Sequence, residues 1–248
     1  MTPAVLEFSG ISKDYHGLRP LRIAELRVAA GDHVAILGFD QPSAEVFVNL
    51  ATGATLPDAG EVSIFGRPTH AIGDSADWLS TVDRFGIVSE RAVLLDALTV
   101  IQNLAMPFTL EIEPPPDGIR ARAEALAREA GLPETSWTRP VAELDAAGQV
   151  RVRFGRALAL DPAILLLEHV SARLAREAVA ALGVGMRAVA SRRGIALVAA
   201  TADDALARAV AGRVLTLEPA TGRLKEQRRR WFGLGHRSPV VRGRGEGG

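Results

Sequence analysis

Short, wholly apolar runs separated by segments of helical periodicity constrain this chain more than any other feature. Ile164-Leu165-Leu166-Leu167, Ile195-Ala196-Leu197-Val198-Ala199 and His33-Val34-Ala35-Ile36-Leu37 leave almost no polar face. A strand of that kind is buried on both sides, the condition of a parallel sheet covered on both faces. Between the runs, residues 43–51 carry Val46, Phe47 and Leu50 at helical spacing, and residues 149–160 and 172–191 read as helices. Arg213-Val214-Leu215-Thr216-Leu217 reads as a further strand. Strands alternating with helices predict an α/β fold with helices on both faces of the sheet.

The flanking segments differ. Val5-Leu6-Glu7-Phe8, Leu21-Arg22-Ile23-Ala24 and Glu61-Val62-Ser63-Ile64-Phe65-Gly66 read as short strands near the N-terminus. From residue 91 the character changes. Leu94, Leu95, Leu98, Ile101 and Leu104 predict a helix, Pro114-Pro115-Pro116 interrupts it, and residues 119–130 form an amphipathic helix stopped by Gly131 and Pro133. The expected division is a core of residues 1–90 and 150–221, a helical insert of 91–149, and a basic, flexible tail of 222–248. In the tail, Arg228-Arg229-Arg230 before Trp231-Phe232 suits an anionic membrane surface, against the alternative of a solvated terminus.

The bulk numbers exclude several classes. With 48% hydrophobic residues in 248, the chain can bury a core. A net charge of zero supplies no global field to attract nucleic acid, so no nucleic-acid partner is expected. The absence of cysteine excludes disulfides, thiolate metal sites and a Cys nucleophile, and is compatible with the cytosol. No apolar run approaches the roughly 20 residues that span a bilayer, and no signal-peptide pattern is present, so a membrane role is expected to run through a partner or a surface contact.

Five segments, in order, carry a resemblance. They are Gly31-Asp32 ahead of a strand ending in Leu37-Gly38; Leu50-Ala51-Thr52-Gly53; Pro57-Asp58-Ala59-Gly60-Glu61-Val62; Leu98-Thr99-Val100 with Asn103-Leu104; and Arg156-Ala157-Leu158-Ala159-Leu160-Asp161-Pro162 leading into the 165–167 strand. Over residues 4–225 they resemble the ATP-binding subunit of an ABC transporter. The resemblance implies a P-loop-type parallel-sheet core with N-terminal antiparallel strands and a helical insert. It also implies ATP and magnesium as cofactors, a membrane permease as partner, homo- or heterodimers of cassettes, and a cytoplasmic position at the inner face of the membrane.

The motifs that carry the family's chemistry are mostly replaced. A P-loop, G-x-x-x-x-G-K-[S/T], cradles phosphates with backbone N–H groups, reaches them with its lysine and holds magnesium with its hydroxyl. The corresponding span is Gly38-Phe39-Asp40-Gln41-Pro42-Ser43-Ala44-Glu45. Ala44 stands at the lysine position and Glu45 at the hydroxyl position. Gln41 and Ser43 replace residues free to adopt positive φ, and Pro42 removes a donor. No lysine occurs between Lys13 and Lys225. A unit charge about 4 Å from another is worth about 4 kcal/mol at an effective dielectric of 20, more than the 0.3–1 kcal/mol or so of a helix N-terminus. The span reads rather as a strand–helix turn with Pro42 in the first helical turn and no ligand.

By the same resemblance, Glu168 takes the place of the magnesium-linked Asp and His169 that of the catalytic Glu; a histidine can act as a base near neutral pH. Glu90 replaces the family's Gln after Ile87-Val88-Ser89, and Ala202 its switch histidine. Leu144-Asp145-Ala146-Ala147-Gly148 stands for the signature Leu-Ser-Gly-Gly-Gln, with Asp145 and Gly148 facing a partner's phosphate. Tyr15 lies where the family stacks adenine, or simply closes a strand. Leu94, Leu98, Pro107 and Phe108 form either a groove for a permease helix or an apolar core. The leading expectation is a pseudo-ATPase that docks on a permease or a partner cassette. A divergent ATPase acting through Glu168 and His169, and a soluble regulatory module, are the alternatives.

Overall fold

The computed structural model describes residues 3–227. Strands β1 (Ala4–Lys13), β2 (Leu21–Ala29), β4 (Ala59–Ile64) and β5 (Arg67–Pro68) form an antiparallel sheet in the order β2-β1-β4-β5. Strands β3 (His33–Leu37), β6 (Phe85–Val88), β7 (Ile164–Glu168), β8 (Ala196–Thr201), β9 (Arg213–Glu218) and β10 (Arg223–Glu226) form the main sheet, in the order β10-β9-β3-β8-β7-β6. All its pairings are parallel except that of edge strand β10 with β9. Arg223–Glu226, assigned to the tail from sequence, is therefore part of the sheet. Residues 228–248, including Arg228–Arg230, Trp231 and Phe232, lie outside the described residues.

The side-chain alternation of the main strands explains their apolar composition. Ile164 and Leu166 of β7 enter one core while Leu165 and Leu167 enter another. Val34 and Ile36 of β3 divide from Ala35 and Leu37 in the same way, as do Val198 and Leu197 of β8. With a core on each face, neither set of alternate residues can be polar. The two covers differ, however. One face carries helix α1 (Gln41–Ala51) and the antiparallel sheet, with Phe8 stacked on Phe47 at 5.1 Å between ring centroids. The other carries α3 (Val100–Ala105), α4 (Asp117–Glu129), α5 (Ala146–Ala157), α6 (Arg176–Arg193) and α7 (Asp204–Val210).

Three local expectations change. Helix α2 (Ser75–Val82) has no fully buried residue and gave no sequence signal. Residues 94–98 turn rather than continue a helix. The side chain of Asn103, itself fully buried, accepts from Leu95 N at 2.9 Å and donates to Leu95 O, Leu98 O and Thr99 O at 3.0–3.3 Å. Helix α3 then starts at a Thr99–Gln102 capping box. Finally, α5 crosses the boundary drawn at residue 149 and packs against β6 as well as α3 and α4.

That last packing depends on Gly86. A Cβ there would lie 2.5 Å from Ala157 O at the end of α5 and 2.6 Å from Leu165 Cδ2. Both neighbours are held by the sheet or a helix end, so overpacking has no easy relief. Gly86→Ala is therefore expected to destabilise the chain by about 1–3 kcal/mol, measured by urea denaturation; an unchanged midpoint would contradict this close approach.

Candidate functional site

The site forms at the C-terminal ends of β3 and β7, where open α/β sheets place their ligand crevices. Gly38 follows β3 with φ +102°, and its Cβ would sit 3.2 Å from Leu217 O, so glycine is required there on both counts. Helix α1 begins at Gln41, with Pro42 in its first turn. Only residues 38–40 thus separate strand from helix. Phe39 is fully buried and packs on Phe47, with 5.3 Å between ring centroids. A large ring in the core pulls this span inward, and the span forms a tight turn in place of a wide loop.

Asp40 closes that turn. Its Oδ1 accepts from Ser43 N at 2.9 Å and from the Ser43 hydroxyl, while Asp40 N donates to Ser43 Oγ at 3.0 Å. This reciprocal cap puts a carboxylate at the helix N-terminus, the position an anionic ligand would otherwise take. The Ser43 hydrogen bonds, side chain first, hold the Asp40 carboxyl below its ordinary range. Ala44, at the family's lysine position, is fully buried in the apolar layer that contains Phe39 and Phe47. Glu45, at the hydroxyl position, is partly exposed and turned toward the sheet end.

Glu168 ends β7 with its side chain wholly buried. Its Oε1 accepts from Gln41 Nε2 at 2.9 Å, Ser89 Oγ at 2.9 Å and Arg91 Nε at 3.1 Å. Its Oε2 accepts from Arg91 Nε at 3.2 Å and Arg91 Nη2 at 2.5 Å. The Arg91 guanidinium also reaches Glu45 Oε1 at 3.4 Å and Asn49 Oδ1 at 3.3 Å. It is held more firmly protonated by its hydrogen bonds to Glu168, and secondarily by the charges of Glu168 and Glu45. His169 follows in a left-handed conformation, φ +46°, and its Nε2 lies 2.9 Å from Phe39 O. A carbonyl only accepts, so Nε2 carries the hydrogen in this contact.

The structure thus gathers Gly38, Phe39, Asp40, Gln41, Pro42, Ser43, Ala44, Glu45, Glu168 and His169 around one turn. Tyr15 joins them across a cleft of about 180 Å³ that it lines with Arg22, Gly38, Asp40 and Leu217. Burial, then the Asp40 charge, raises the Tyr15 phenol. The remaining family positions sit elsewhere. Glu90 is exposed beside Arg153. Ala202 is exposed after β8. Asp145 caps α5, accepting from Gly148 N at 2.7 Å. Sequence reasoning missed Arg91, Ser89 and Asn49. Arg91 lies immediately after Glu90, and a lone arginine in a chain whose cations are nearly all arginine gave no signal.

No protein-family model matches the chain. Among curated proteins it is similar to the methionine import ATP-binding protein MetN of Mesorhizobium japonicum, 30% identical over 83% of this chain and 55% of that protein. It is also similar to the lipoprotein-releasing system ATP-binding protein LolD of Chromohalobacter salexigens, 28% identical over 90% of this chain and 93% of that protein. The chain spans a little over half the length of the methionine import proteins it matches. Among solved structures, cbiO1 from Clostridium perfringens superposes with a TM-score of 0.73 at 19% identity, over 90% of this chain and 87% of that one. The dimeric cassette MJ0796 gives 0.72 at 22%, over 90% and 99%. The fold is that of an ABC-type cassette. Over most of its length the chain is similar to ATP-binding subunits of ABC transporters.

Two outcomes follow from this geometry. Arg91→Ala leaves the Glu168 carboxylate buried without its cation and is expected to cost about 2–4 kcal/mol, below the full cost of splitting a buried pair because Arg91 is partly solvated. Replacing both, Arg91→Met with Glu168→Met, is expected to cost less than that single change in a denaturation cycle; equal or greater loss would contradict the pairing. Asp40→Ala is expected to cost about 0.5–2 kcal/mol at neutral pH. Because the folded Asp40 carboxyl is depressed, its contribution is present above the unfolded value and is lost as pH falls through the folded one. The stability difference between wild type and variant should therefore shrink on acidification; a gap that is constant with pH would contradict it.

Proposed function

We propose that this chain is an ABC transporter subunit that docks on a membrane permease, or pairs with a second cassette, without turning over ATP. The observation that carries the reading is the Arg91–Glu168 pair. Magnesium requires open oxygen ligands, and both oxygens of the buried carboxylate are already taken by Arg91, with Oε1 also serving Gln41 and Ser89. At the head of the turn Asp40 already occupies the helix N-terminus with its own negative charge, the place where a phosphate would sit. His169 donates its Nε2 hydrogen to Phe39 O, which ties its ring to the turn. These residues do not fit ATP and magnesium as held by the family, and no hydrolytic step is derived from them.

The docking part of the reading rests on a groove of about 350 Å³ between sheet and insert. Phe85, Ile87, Met106, Pro107 and Leu160 supply its apolar walls, and Arg153 and Arg156 its cations. Of the residues expected from sequence to shape such a groove, Pro107 lines it. Leu94 is in the core, and Phe108 packs against that core beneath the Arg122 guanidinium, 3.7 Å from its ring centroid. An apolar trough with cations at its rim that make no ion pair among the described residues suits a short permease helix, whose C-terminal carbonyls carry partial negative charge. The named relatives serve methionine import and lipoprotein release, both membrane transport systems. This reading places the subunit at the inner face of the membrane.

Isothermal titration of the chain with Mg-ATP is the test. No binding heat is expected up to millimolar nucleotide, and micromolar affinity would overturn the reading. The double substitution Ala44→Lys with Glu45→Ser is expected to restore no phosphate release. Position 44 points into an apolar layer and Arg91 still holds Glu168, and residues that act as a unit do not recover singly. Steady turnover by that variant would overturn the reading as well.

A further inference from the structure

Residues 89–93 lead from the end of β6 into the helical insert and are tied on both sides by arginines. On the core side, Arg91 grips Glu168 of β7 and reaches Glu45 and Asn49 of α1. On the insert side, α5 supplies two more: Arg153 Nε donates to Ala92 O at 3.1 Å, and Arg156 Nη1 to Val93 O at 2.6 Å. Neither makes an ion pair among the described residues; Glu90 and Asp96 act on Arg153 only through longer-range charge. Burial works against both cations, so backbone carbonyls are their direct compensation.

The same residues border the docking groove. Ala92, Arg153 and Arg156 line it together with Phe85 and Ile87 of β6 and Leu160 just after α5. The relative position of its walls is set by how the 89–93 link is held. A link fastened from core and insert alike, by charge-assisted bonds within the protein, is held without any contribution from a ligand.

We propose that Arg91, Arg153 and Arg156 are positioning residues, a staple that fixes the 89–93 link and so holds the groove in one shape with no nucleotide bound. The staple deepens the docking reading above and rests on it for the meaning of the groove, but not for its own geometry.

Hydrogen exchange on the full chain tests it. Two amides report on the link: Arg91 N, bonded to Ser89 Oγ, and Ala92 N, bonded to Ser89 O. Amides of β8 report on global opening. In the wild type the link is expected to be protected, with exchange unchanged by millimolar Mg-ATP. Arg153→Met with Arg156→Met is expected to raise link exchange about tenfold or more while β8 keeps its protection. Arg91→Met with Glu168→Met, which leaves no orphan charge, should do the same from the other side. A link that exchanges at the unprotected rate in the wild type overturns the staple. So does exchange within about twofold of wild type in both variants. If one variant loses β8 protection, the other decides, and if both do, the single change Arg156→Lys is read in the same way. A change in link exchange on adding Mg-ATP overturns the ligand-free shape. Heat of Mg-ATP binding with an unchanged link overturns the non-hydrolysing reading and leaves the staple standing.

Discussion

The wholly buried carboxylate of Glu168, at the end of a central strand, has to be met by donors wherever they come from. In this chain they come from two separate segments: Gln41 from the start of α1, and Ser89 and Arg91 from the link that follows β6. Each donor fixes the element that carries it. The register of β6 beside β7, the entry of α1 and the path into the insert all converge on one anion. A buried charge is costly when unpaired, so these contacts are mutually obligatory rather than additive. The geometry of the surrounding turn follows from meeting that demand.

Two substitutions of charge describe what has happened around it. A carboxylate suited to holding a metal cation is met by a guanidinium from the same chain. A helix N-terminus suited to a phosphate is met by Asp40, also from the same chain. Phe39 completes the change by occupying the core beneath the turn, which shortens the loop to residues 38–40. The result is a site that satisfies its own polar groups. Asp145 does the same at α5, where its side chain caps its own helix.

The staple extends this self-sufficiency from the turn to the architecture. Because Arg91 reaches inward to Glu168 while Arg153 and Arg156 reach the adjacent carbonyls from α5, the polar satisfaction of the site and the placement of the insert share one short segment. The groove beside it inherits its shape from contacts made for electrostatic reasons.

Much of the fold was legible in the sequence because its signals are local and redundant. The apolar runs at 33–37, 164–167 and 195–199 are short and bounded by turn residues, as buried strands are, and the glycine at 38 and the proline at 42 mark where strand gives way to helix. Less was visible where periodicity misled: Leu94, Leu95 and Leu98 have helical spacing, but the Asn103 amide holds residues 95–99 in a turn. The partner of Glu168 was not legible at all. Arg91 lies 77 positions away, and only the pairing of β6 with β7 brings it within reach. The sequence by itself determined the sheet, the order of its elements and the absence of the family's phosphate-binding lysine. Tertiary structure alone decided that another cation would stand against the buried carboxylate, because long-range charge pairing depends on which strand ends are neighbours, and no local pattern records that.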